Sequence, residues 1–339
     1  MVASGILIVA LKMRGEAVLA KRHVVIISPA MAKANNGNWQ TARRWARFLG
    51  ERYRVTLLER WNGIACDAVI ALHARRSASS IASFAAAFPE RPCILVLTGT
   101  DLYRDIHADA EAQRSLQFAT RLVVLQEAGL QELPEEGRAK ARVIYQSAPA
   151  LAPVVCHEPG DAEVVMIGHL RDEKDPLVFM HAAAMVKAPG LRMTHIGGAL
   201  DPALGEQAMA TQQAVPHYRW LGSLPHDATR ERLRRSRLMV IASKIEGGAN
   251  VIIEAVTSVV PVLASDIPGN RGMLGADYAG YFPVGDSKAL AALIDKALAD
   301  SAFHALLQDQ CKARAALFAP EREQAAVLQL LDNLAPKTR

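Results

Sequence analysis

Two glutamates flank a glycine pair in the segment SKIEGGANVIIEA, residues 243–255. The glycines would let the backbone come close to a ligand, and a helix that starts after them would offer free N–H groups to a diphosphate. One carboxylate could then face a sugar while the other accepts hydroxyl bonds from a ribose. A glycine turn with two solvated glutamates is the structural alternative. The candidate ligand-binding residues of this segment are Glu246, Gly247, Gly248, Ala249, Asn250 and Glu254.

A second segment, GHLRDEKDP at residues 168–176, also follows an apolar run and precedes a helical pattern. His169, Arg171 and Lys174 converge on the start of that helix, as a diphosphate site requires. Most such charge clusters are solvated helix caps. Two segments of this kind in one half of the chain nevertheless favour an anion site.

Short apolar runs alternate with segments of helical periodicity from residue 23 onward, which is typical of parallel βαβ units. In the first half we expect strands at 23–30, 53–59, 67–74, 93–99, 121–126 and 142–148. In the second half we expect strands at 162–170, 191–198, 218–224, 237–243, 261–265 and 279–284. The predicted fold class is therefore α/β, with two Rossmann-like doubly wound domains facing a cleft.

Breaks in this pattern predict the domain boundaries. Prolines and a glycine interrupt residues 149–161, which indicates an interdomain linker. Pro320 must end or kink the helical tail, and a last helix that crosses back onto the first domain would explain the break. We predict an extension over 1–22, domains over 23–150 and 162–318, a linker over 151–161 and a crossing helix over 319–339.

Composition narrows the class of protein. Apolar residues make up 51% of the 339-residue chain and charged residues 22%, which suits two cores of a soluble protein. The net charge of +5 comes with no basic run interleaved with aromatics, so we expect no nucleic-acid partner. The apolar run at 6–11 is far short of the ~20 residues that cross a bilayer. With four widely separated cysteines, a cytoplasmic protein without a membrane span is expected.

Cofactor motifs are absent from the sequence. Neither half carries G-x-G-x-x-G after its first strand, which argues against a nicotinamide dehydrogenase. No Asp-x-Asp motif or histidine-rich cluster indicates a divalent ion. We therefore expect no cofactor and no metal, and we expect the chemistry in the loops that follow the strands.

The C-terminal motifs resemble those of the family-four retaining glycosyltransferases, namely G-H-L-x-x-x-K (168–174), E-G-G-x(5)-E (246–254) and PVLASDIPGN (261–270). In that family the glutamate pair and an Arg/Lys pair hold a nucleotide sugar. The family usually has Arg where this chain has His169, so either His169 or Arg171 could contact the phosphates. The resemblance implies the B-type glycosyltransferase architecture, with a UDP-sugar in the C-terminal half.

Four strings in the N-terminal half, at residues 28–49, 71–78, 97–106 and 143–149, carry a second resemblance. They are similar to the selenosugar synthases of selenoneine biosynthesis, and the resemblance runs from about residue 23 to the end. It implies that a sugar passes from a UDP-sugar, with UDP-N-acetylglucosamine as a donor, to the selenium of selenophosphate. The small acceptor would lie in the N-terminal half.

The loops after the first, third and fourth strands supply the expected acceptor site. A small tetrahedral anion could rest on the helix start near residues 36–38, which Asn38 would cap. Asp101 could bind sugar hydroxyls, position the acceptor or relay protons, and equally it could cap the next helix. The predicted acceptor residues are Asn36, Gly37, Asn38, Arg43, His73, Thr98, Gly99, Thr100, Asp101 and Arg104.

The mechanistic hypothesis assigns catalysis to Lys174, Glu246 and Asp101. The domains close, cations and a helix start stabilise the departing UDP, and selenium attacks the anomeric carbon. A selenophosphate-producing enzyme could hand its product over directly. Two alternatives stay open: a glycosyltransferase with an ordinary small hydroxyl or thiol acceptor, and a non-catalytic sugar-nucleotide sensor. Retention of both glutamates and Lys174 speaks against the sensor.

Overall fold

The computed structural model describes residues 21–30, 37–152, 154 and 162–334. Most of the expected extension at 1–22 and most of the expected linker at 151–161 lie outside these described residues. Asn36, one of the predicted acceptor residues, also lies outside them.

The N-terminal half forms a six-stranded sheet. Its strands are β1 (His23–Ile27), β2 (Arg54–Leu58), β3 (Ala68–Leu72), β4 (Cys93–Leu97), β5 (Arg121–Val124) and β6 (Ala141–Val143). Their spatial order is β2-β1-β3-β4-β5-β6, and every neighbouring pair is parallel. Strands β1, β3 and β4 are buried at every position, which explains why their sequences are almost entirely apolar.

The C-terminal half forms a second parallel six-stranded sheet. Its strands are β7 (Glu163–Ile167), β8 (Arg192–Ile196), β9 (Tyr218–Trp220), β10 (Leu238–Ile241), β11 (Val262–Ser265) and β12 (Tyr281–Phe282). Their order is β12-β11-β10-β7-β8-β9. The strand order therefore reverses between β7 and β10. Ligands of open α/β sheets bind outside the carboxyl ends of the strands at such a point.

Helices cover both sheets, and a π-helical turn (Asp101–Asp105) follows β4. The helices are α1 (Gly37–Leu49), α2 (Ala78–Ala87), α3 (Ile106–Ala108), α4 (Ala110–Phe118), α5 (Glu135–Ala139), α6 (Pro176–Ala183), α7 (Pro202–Ala214), α8 (His226–Arg235), α9 (Asn250–Val256), α10 (Pro268–Leu274), α11 (Ser287–Ala299), α12 (Ser301–Arg314) and α13 (Pro320–Asp332). Within the part of the chain that is described, each helix is too short or too polar to cross a membrane.

The two parallel sheets confirm the predicted α/β class with two Rossmann-like domains. All twelve expected strands are present, and most are shorter than expected because residues at one or both ends belong to loops. The largest difference is β6, expected at 142–148 and observed to end at Val143. The N–H of Ile144 still bonds the Val124 carbonyl, at 3.0 Å. The chain then leaves the sheet, and the N–H of Ala148 bonds the Phe318 carbonyl in the other half, at 3.3 Å.

The N-terminal sheet has an apolar core on each face because successive strand side chains point to opposite sides. Val25 and Ile27 of β1 pack on one face together with α2 and α4. Val24 and Ile26 pack on the other face together with α1 and α13. The last helix of the chain therefore contributes to the core of the first sheet. The second sheet and its helices share a separate core.

A buried carboxylate holds α13 against α1. Glu323 of α13 is 1% exposed. It accepts hydrogen bonds from Arg44 Nε at 2.7 Å, Trp45 Nε1 at 2.7 Å and Ser147 Oγ at 2.6 Å. The buried charge is thus paired and hydrogen-bonded, as burial requires.

Candidate functional site

The loops that follow β7 and β10 meet at the reversal of strand order in the second sheet. Lys174 of the first loop donates to Glu246 Oε1 of the second loop, with Nζ and Oε1 2.5 Å apart. Ser243, two residues after the end of β10, donates its hydroxyl hydrogen to the same oxygen at 2.6 Å. The side chains of Lys174 and Glu246 are only 18% and 10% exposed. The structure thus brings together the lysine and the first glutamate of the two motifs.

His169 contributes a neutral donor to this site. Its Nδ1 accepts the N–H of Gly198 at 3.1 Å, so the neutral ring carries its hydrogen on Nε2. Burial lowers the pKa of His169, and the positive charges of Arg171 and Lys174 lower it further. The imidazolium form is therefore disfavoured near neutral pH.

Arg171 belongs to the same loop after β7, and 40% of its side chain is exposed. Its Nε is 3.9 Å from Glu173 Oε2. Glu173 also faces Arg104 of the N-terminal half, with 3.6 Å between Oε1 and the guanidinium nitrogen. One carboxylate is therefore shared by arginines from the two halves of the molecule.

The glycine pair of the second motif packs directly on the N-terminal half. A Cβ at position 247 would lie 2.5 Å from the Thr98 carbonyl oxygen, and one at position 248 would lie 2.6 Å from Leu125 Cβ. Gly99 faces Gly247 with a φ of +146°. From the sequence, we expected Gly247 and Gly248 to let the backbone come close to a ligand. The structure shows that they also permit close contact between the two halves.

The starts of α9 and α1 face each other across the same contact. Asn250 is the first residue of α9, after Ala249. A Cβ at Gly37, the first residue of α1, would lie 3.5 Å from Asn250 Nδ2. Asn38 therefore lies inside the first turn of α1, and the expectation that it caps the helix was wrong.

Glu254 lies one turn further along α9 and is 8% exposed. Its Oε1 accepts a hydrogen bond from His226 Nε2 at 2.7 Å. His226 is the first residue of α8, after β9. No sequence motif had pointed to this histidine. Its position after an expected strand of the second sheet was the signal that could have found it.

Asp101 is buried and fully occupied by the backbone. Its Oδ1 accepts the N–H groups of Thr98 and Gly99 at 2.9 Å each. Its Oδ2 accepts the N–H of Ala74, also at 2.9 Å. These bonds tie the loop after β3 to the loop after β4, and the carboxylate is 0% exposed. This placement disagrees with the expected substrate contact and with a helix-cap role, and it favours a residue that positions the two loops.

His73 is a buried residue at the end of β3 with a φ of +73°, a strained conformation for a residue with a side chain. Its Nδ1 accepts the N–H of Arg76 at 3.3 Å, and its Nε2 lies 3.2 Å from Thr100 Oγ1. Burial lowers the pKa of His73. The ring therefore links Thr100 to the β3 loop as a neutral group.

The two arginines near the middle of α1 differ in their surroundings. Arg44 is bound to Glu323, whereas Arg43 is exposed. Arg43 lies six residues after Gly37, which is about 9 Å along a helix axis. Close distances place Gly37, Thr98 and Gly99 at the contact between the halves, whereas no hydrogen bond or ion pair within the described residues places Arg43 there.

Tyr103 is a further residue of the cleft that sequence reasoning missed. It lies in the π-helical turn after β4, and its hydroxyl accepts a hydrogen bond from Gln126 Nε2 at 2.7 Å. Burial, with a smaller contribution from the charges of Glu132 and Glu246, raises the pKa of Tyr103 to about 12. Tyr103 is thus a neutral hydroxyl near the carboxylate of Glu246.

Carboxylates and histidines are common around the contact between the halves. Among the described residues, however, no group of three or more His, Cys, Asp or Glu side chains is arranged to hold a metal ion. The expectation that the reaction needs no metal and no cofactor stays a prediction.

The C-terminal half is similar to known proteins in sequence. Residues 153–317 match the sequence model of the family described as Glycosyl transferases group 1. Glycosyltransferase 1 domain-containing protein 1 of Xenopus tropicalis is 31% identical over 121 residues. This match covers 35% of this chain and 35% of the relative, so the chain spans about a third of the length of that curated protein.

Solved structures share the two-domain fold over most of this chain. Sucrose-phosphate synthase of Thermosynechococcus elongatus has a TM-score of 0.75 at 17% identity, covering 93% of this chain and 99% of that one. Anabaena Alr3699/HepE, in complex with UDP and glucose, has a TM-score of 0.72 at 16% identity, covering 92% and 100%. The pneumococcal O-GlcNAc transferase GtfA, in complex with UDP and GlcNAc, has a TM-score of 0.65 at 16% identity, covering 79% and 56%. At these identities the likeness establishes the fold, which is the B-type glycosyltransferase architecture.

Proposed function

We propose that this chain, which has the GT-B fold and a C-terminal half of the Glycosyl transferases group 1 family, is a glycosyltransferase that takes a sugar from a UDP-sugar. We propose further that the donor is UDP-N-acetylglucosamine and the acceptor is the selenium of selenophosphate. The product is then a selenosugar in selenoneine biosynthesis, released with UDP and phosphate.

The observation that carries the donor assignment is the Lys174–Glu246 pair at the reversal of strand order. The lysine ammonium and the carboxylate come from the two loops that border this point, and the pair is mostly shielded from water. A diphosphate placed here meets the Lys174 ammonium, the Arg171 guanidinium and the neutral N–H of His169. These groups suit an anionic leaving group.

In the proposed reaction, each bond that forms is matched by one that breaks. A selenium lone pair forms the bond to the anomeric carbon, and the bond from that carbon to the diphosphate oxygen breaks. The electron pair of the broken bond leaves with UDP, whose charge the Lys174 ammonium stabilises. Water then attacks phosphorus, which breaks the phosphorus–selenium bond and releases phosphate and the selenol of the sugar. Selenium is already a strong nucleophile, so attack needs no dedicated general base.

The acceptor assignment rests on the N-terminal strings that resemble selenosugar synthases. Those strings include Gly37 at the start of α1 and the loop with Thr98 and Gly99. Both places border the second motif, since Gly37 lies near Asn250 and Gly99 faces Gly247. A small anion bound at the start of α1 would therefore lie close to the donor loops.

An ordinary hydroxyl acceptor is the second candidate. The structurally similar GtfA is an O-GlcNAc transferase, and its structure contains UDP and GlcNAc. Tyr103 adds a neutral hydroxyl that could bind a hydroxylated acceptor beside Glu246. Product analysis with selenophosphate, glycerol and simple sugars in competition separates the two candidates.

Replacement of Lys174 tests the donor site. We expect Lys174→Ala to lower turnover of UDP-N-acetylglucosamine by roughly 100-fold or more, because one group that stabilises developing charge is lost. Lys244→Ala is the matched control, since Lys244 lies beside the same loops and pairs with the exposed Asp172. Equal turnover and equal donor affinity in Lys174→Ala and Lys244→Ala would remove the basis of the donor assignment.

A further inference from the structure

The hydrogen bond between His226 and Glu254 has no role in the proposed bond changes. We infer that His226 is a positioning residue, which holds the Glu254 carboxylate ready for the ribose hydroxyls and makes the affinity for the UDP-sugar depend on pH. The inference rests on the proposed function, because it assumes that the UDP-sugar binds against α9.

Geometry supports a positioning role. His226 begins α8 and Glu254 lies on α9, so the hydrogen bond joins two helices that are consecutive in the chain. The Nε2–Oε1 distance of 2.7 Å is that of a charge-assisted bond. One oxygen of Glu254 is therefore fixed by the protein, and the direction of the other oxygen is fixed with it. A carboxylate held in this way loses less rotamer freedom when it accepts a hydroxyl bond.

The charged groups around His226 determine how it titrates. Glu254 faces it from α9, and Asp227 and Arg230 act on it from α8 itself. The hydrogen bond to Glu254 is the largest influence and raises the pKa of His226, while burial and Arg230 oppose it. His226 is therefore partly protonated at a pH where a free histidine is mostly neutral.

Protonation adds a positive charge to a site that binds a diphosphate, and it strengthens the bond to Glu254. Affinity gained in this way is present below the raised pKa of His226 and is lost as the pH rises through it. His169 does not produce the same effect there, because burial and neighbouring cations shift its pKa in the opposite direction.

Calorimetric binding of UDP-N-acetylglucosamine between about pH 6 and about pH 8.5 tests this inference. The diphosphate of this donor is esterified at both ends and does not titrate in that range. We expect wild-type affinity to decline several-fold as the pH rises. His226→Gln keeps an N–H donor but cannot gain a charge. At the high end of the pH range this variant should therefore bind the UDP-sugar as tightly as wild type, and its affinity should not decline with pH. His226→Ala should also lose the decline, and at the high end of the pH range it should bind roughly fivefold more weakly than wild type, because one hydrogen bond is lost.

His217→Gln is the matched control. His217 is a half-buried histidine that bonds the Ala183 carbonyl at 2.7 Å just before β9, at the opposite end of that strand from the proposed site. This variant should keep the wild-type pH dependence. If His226→Gln retains the full decline, or if His226→Ala binds like wild type at every pH, the inference is wrong. If wild type itself does not bind the UDP-sugar, the proposed donor site fails instead, and the two failures are thus distinguishable.

Discussion

Two histidines beside the proposed donor site differ in charge because their neighbours differ. Burial and nearby cations lower the pKa of His169, whereas a carboxylate raises the pKa of His226. His169 is therefore a neutral hydrogen-bond donor at neutral pH. Within the loop after β7, the positive charge for a diphosphate therefore comes from Lys174 and Arg171.

A glutamine at position 169 tests this assignment. We expect His169→Gln to keep donor affinity at neutral pH within about twofold, because the amide supplies a similar neutral N–H. His169→Ala should bind more weakly, since that donor is lost. Calorimetry with UDP-N-acetylglucosamine measures both variants. A large loss of affinity in His169→Gln near neutral pH would show instead that the imidazolium binds the phosphates.

Motif spacing predicted some residues of the site, and it missed others for a physical reason. The spacing of Glu246 and Glu254 placed one before a helix and one on it, because a helical repeat is local in sequence. The contact of His226 with Glu254 spans 28 residues and depends on which loops lie side by side. The same holds for Asp101, whose backbone partner Ala74 lies 27 residues away. Such partners follow from the packed structure and could not be read from one motif.

At the level of loops and helices, the contact between the two halves depends on two glycines, whose lack of a side chain lets the backbones approach closely. Gly99 lies in the loop after β4, and Gly247 lies in the loop before α9. An ideal Cβ at position 99 would lie 3.2 Å from the Gly247 nitrogen. A side chain at either position would therefore push the donor loop away from the acceptor loop.

Gly247→Ala tests whether this contact matters for reaction. The added methyl would lie 2.5 Å from the Thr98 carbonyl oxygen, so the halves must separate slightly. We expect turnover to fall by roughly 100-fold, because a shift of about 1 Å in reacting groups has that effect. Affinity for UDP should change much less, since the methyl points to the N-terminal half. Steady-state kinetics and calorimetry measure the two quantities, and unchanged turnover would mean that this contact is not needed.

The strands were predictable because parallel strands buried on both faces are nearly continuous apolar runs. Their ends were less predictable, as β6 illustrates. Ile144 and Tyr145 have strand-like residue types, yet after Ile144 the chain leaves β5 and turns toward the second half. The hydroxyl of Tyr145 bonds the Gly272 carbonyl there, at 3.2 Å. Tertiary contacts thus override local propensity at this crossing point.

At the scale of the whole molecule, helix α13 follows the C-terminal half in sequence but packs against the N-terminal sheet. Its apolar residues enter the core beside α1, and Glu323 binds Arg44, Trp45 and Ser147. The start of α1 lies at the contact with Asn250. The position of α13 therefore influences where the proposed acceptor helix sits relative to the donor loops.

Glu323→Ala should destabilise this arrangement. Loss of the carboxylate leaves the largely buried guanidinium of Arg44 without its partner, which costs about 3 kcal/mol. Glu321→Ala is the control, because Glu321 lies on the same helix and is exposed. Urea unfolding followed by tryptophan fluorescence compares the two variants. Equal unfolding midpoints for both would contradict the role given to Glu323.

The central claim is that the cleft transfers a sugar from UDP to selenium. Its most direct test is anaerobic incubation of the purified protein with UDP-N-acetylglucosamine and fresh selenophosphate, followed by mass spectrometry. We expect free UDP, phosphate and a sugar with the selenium isotope pattern, all strongly reduced in Lys174→Ala and retained in Lys244→Ala. Binding of the UDP-sugar with no selenium on any product would contradict the claim and would leave an ordinary acceptor as the remaining candidate.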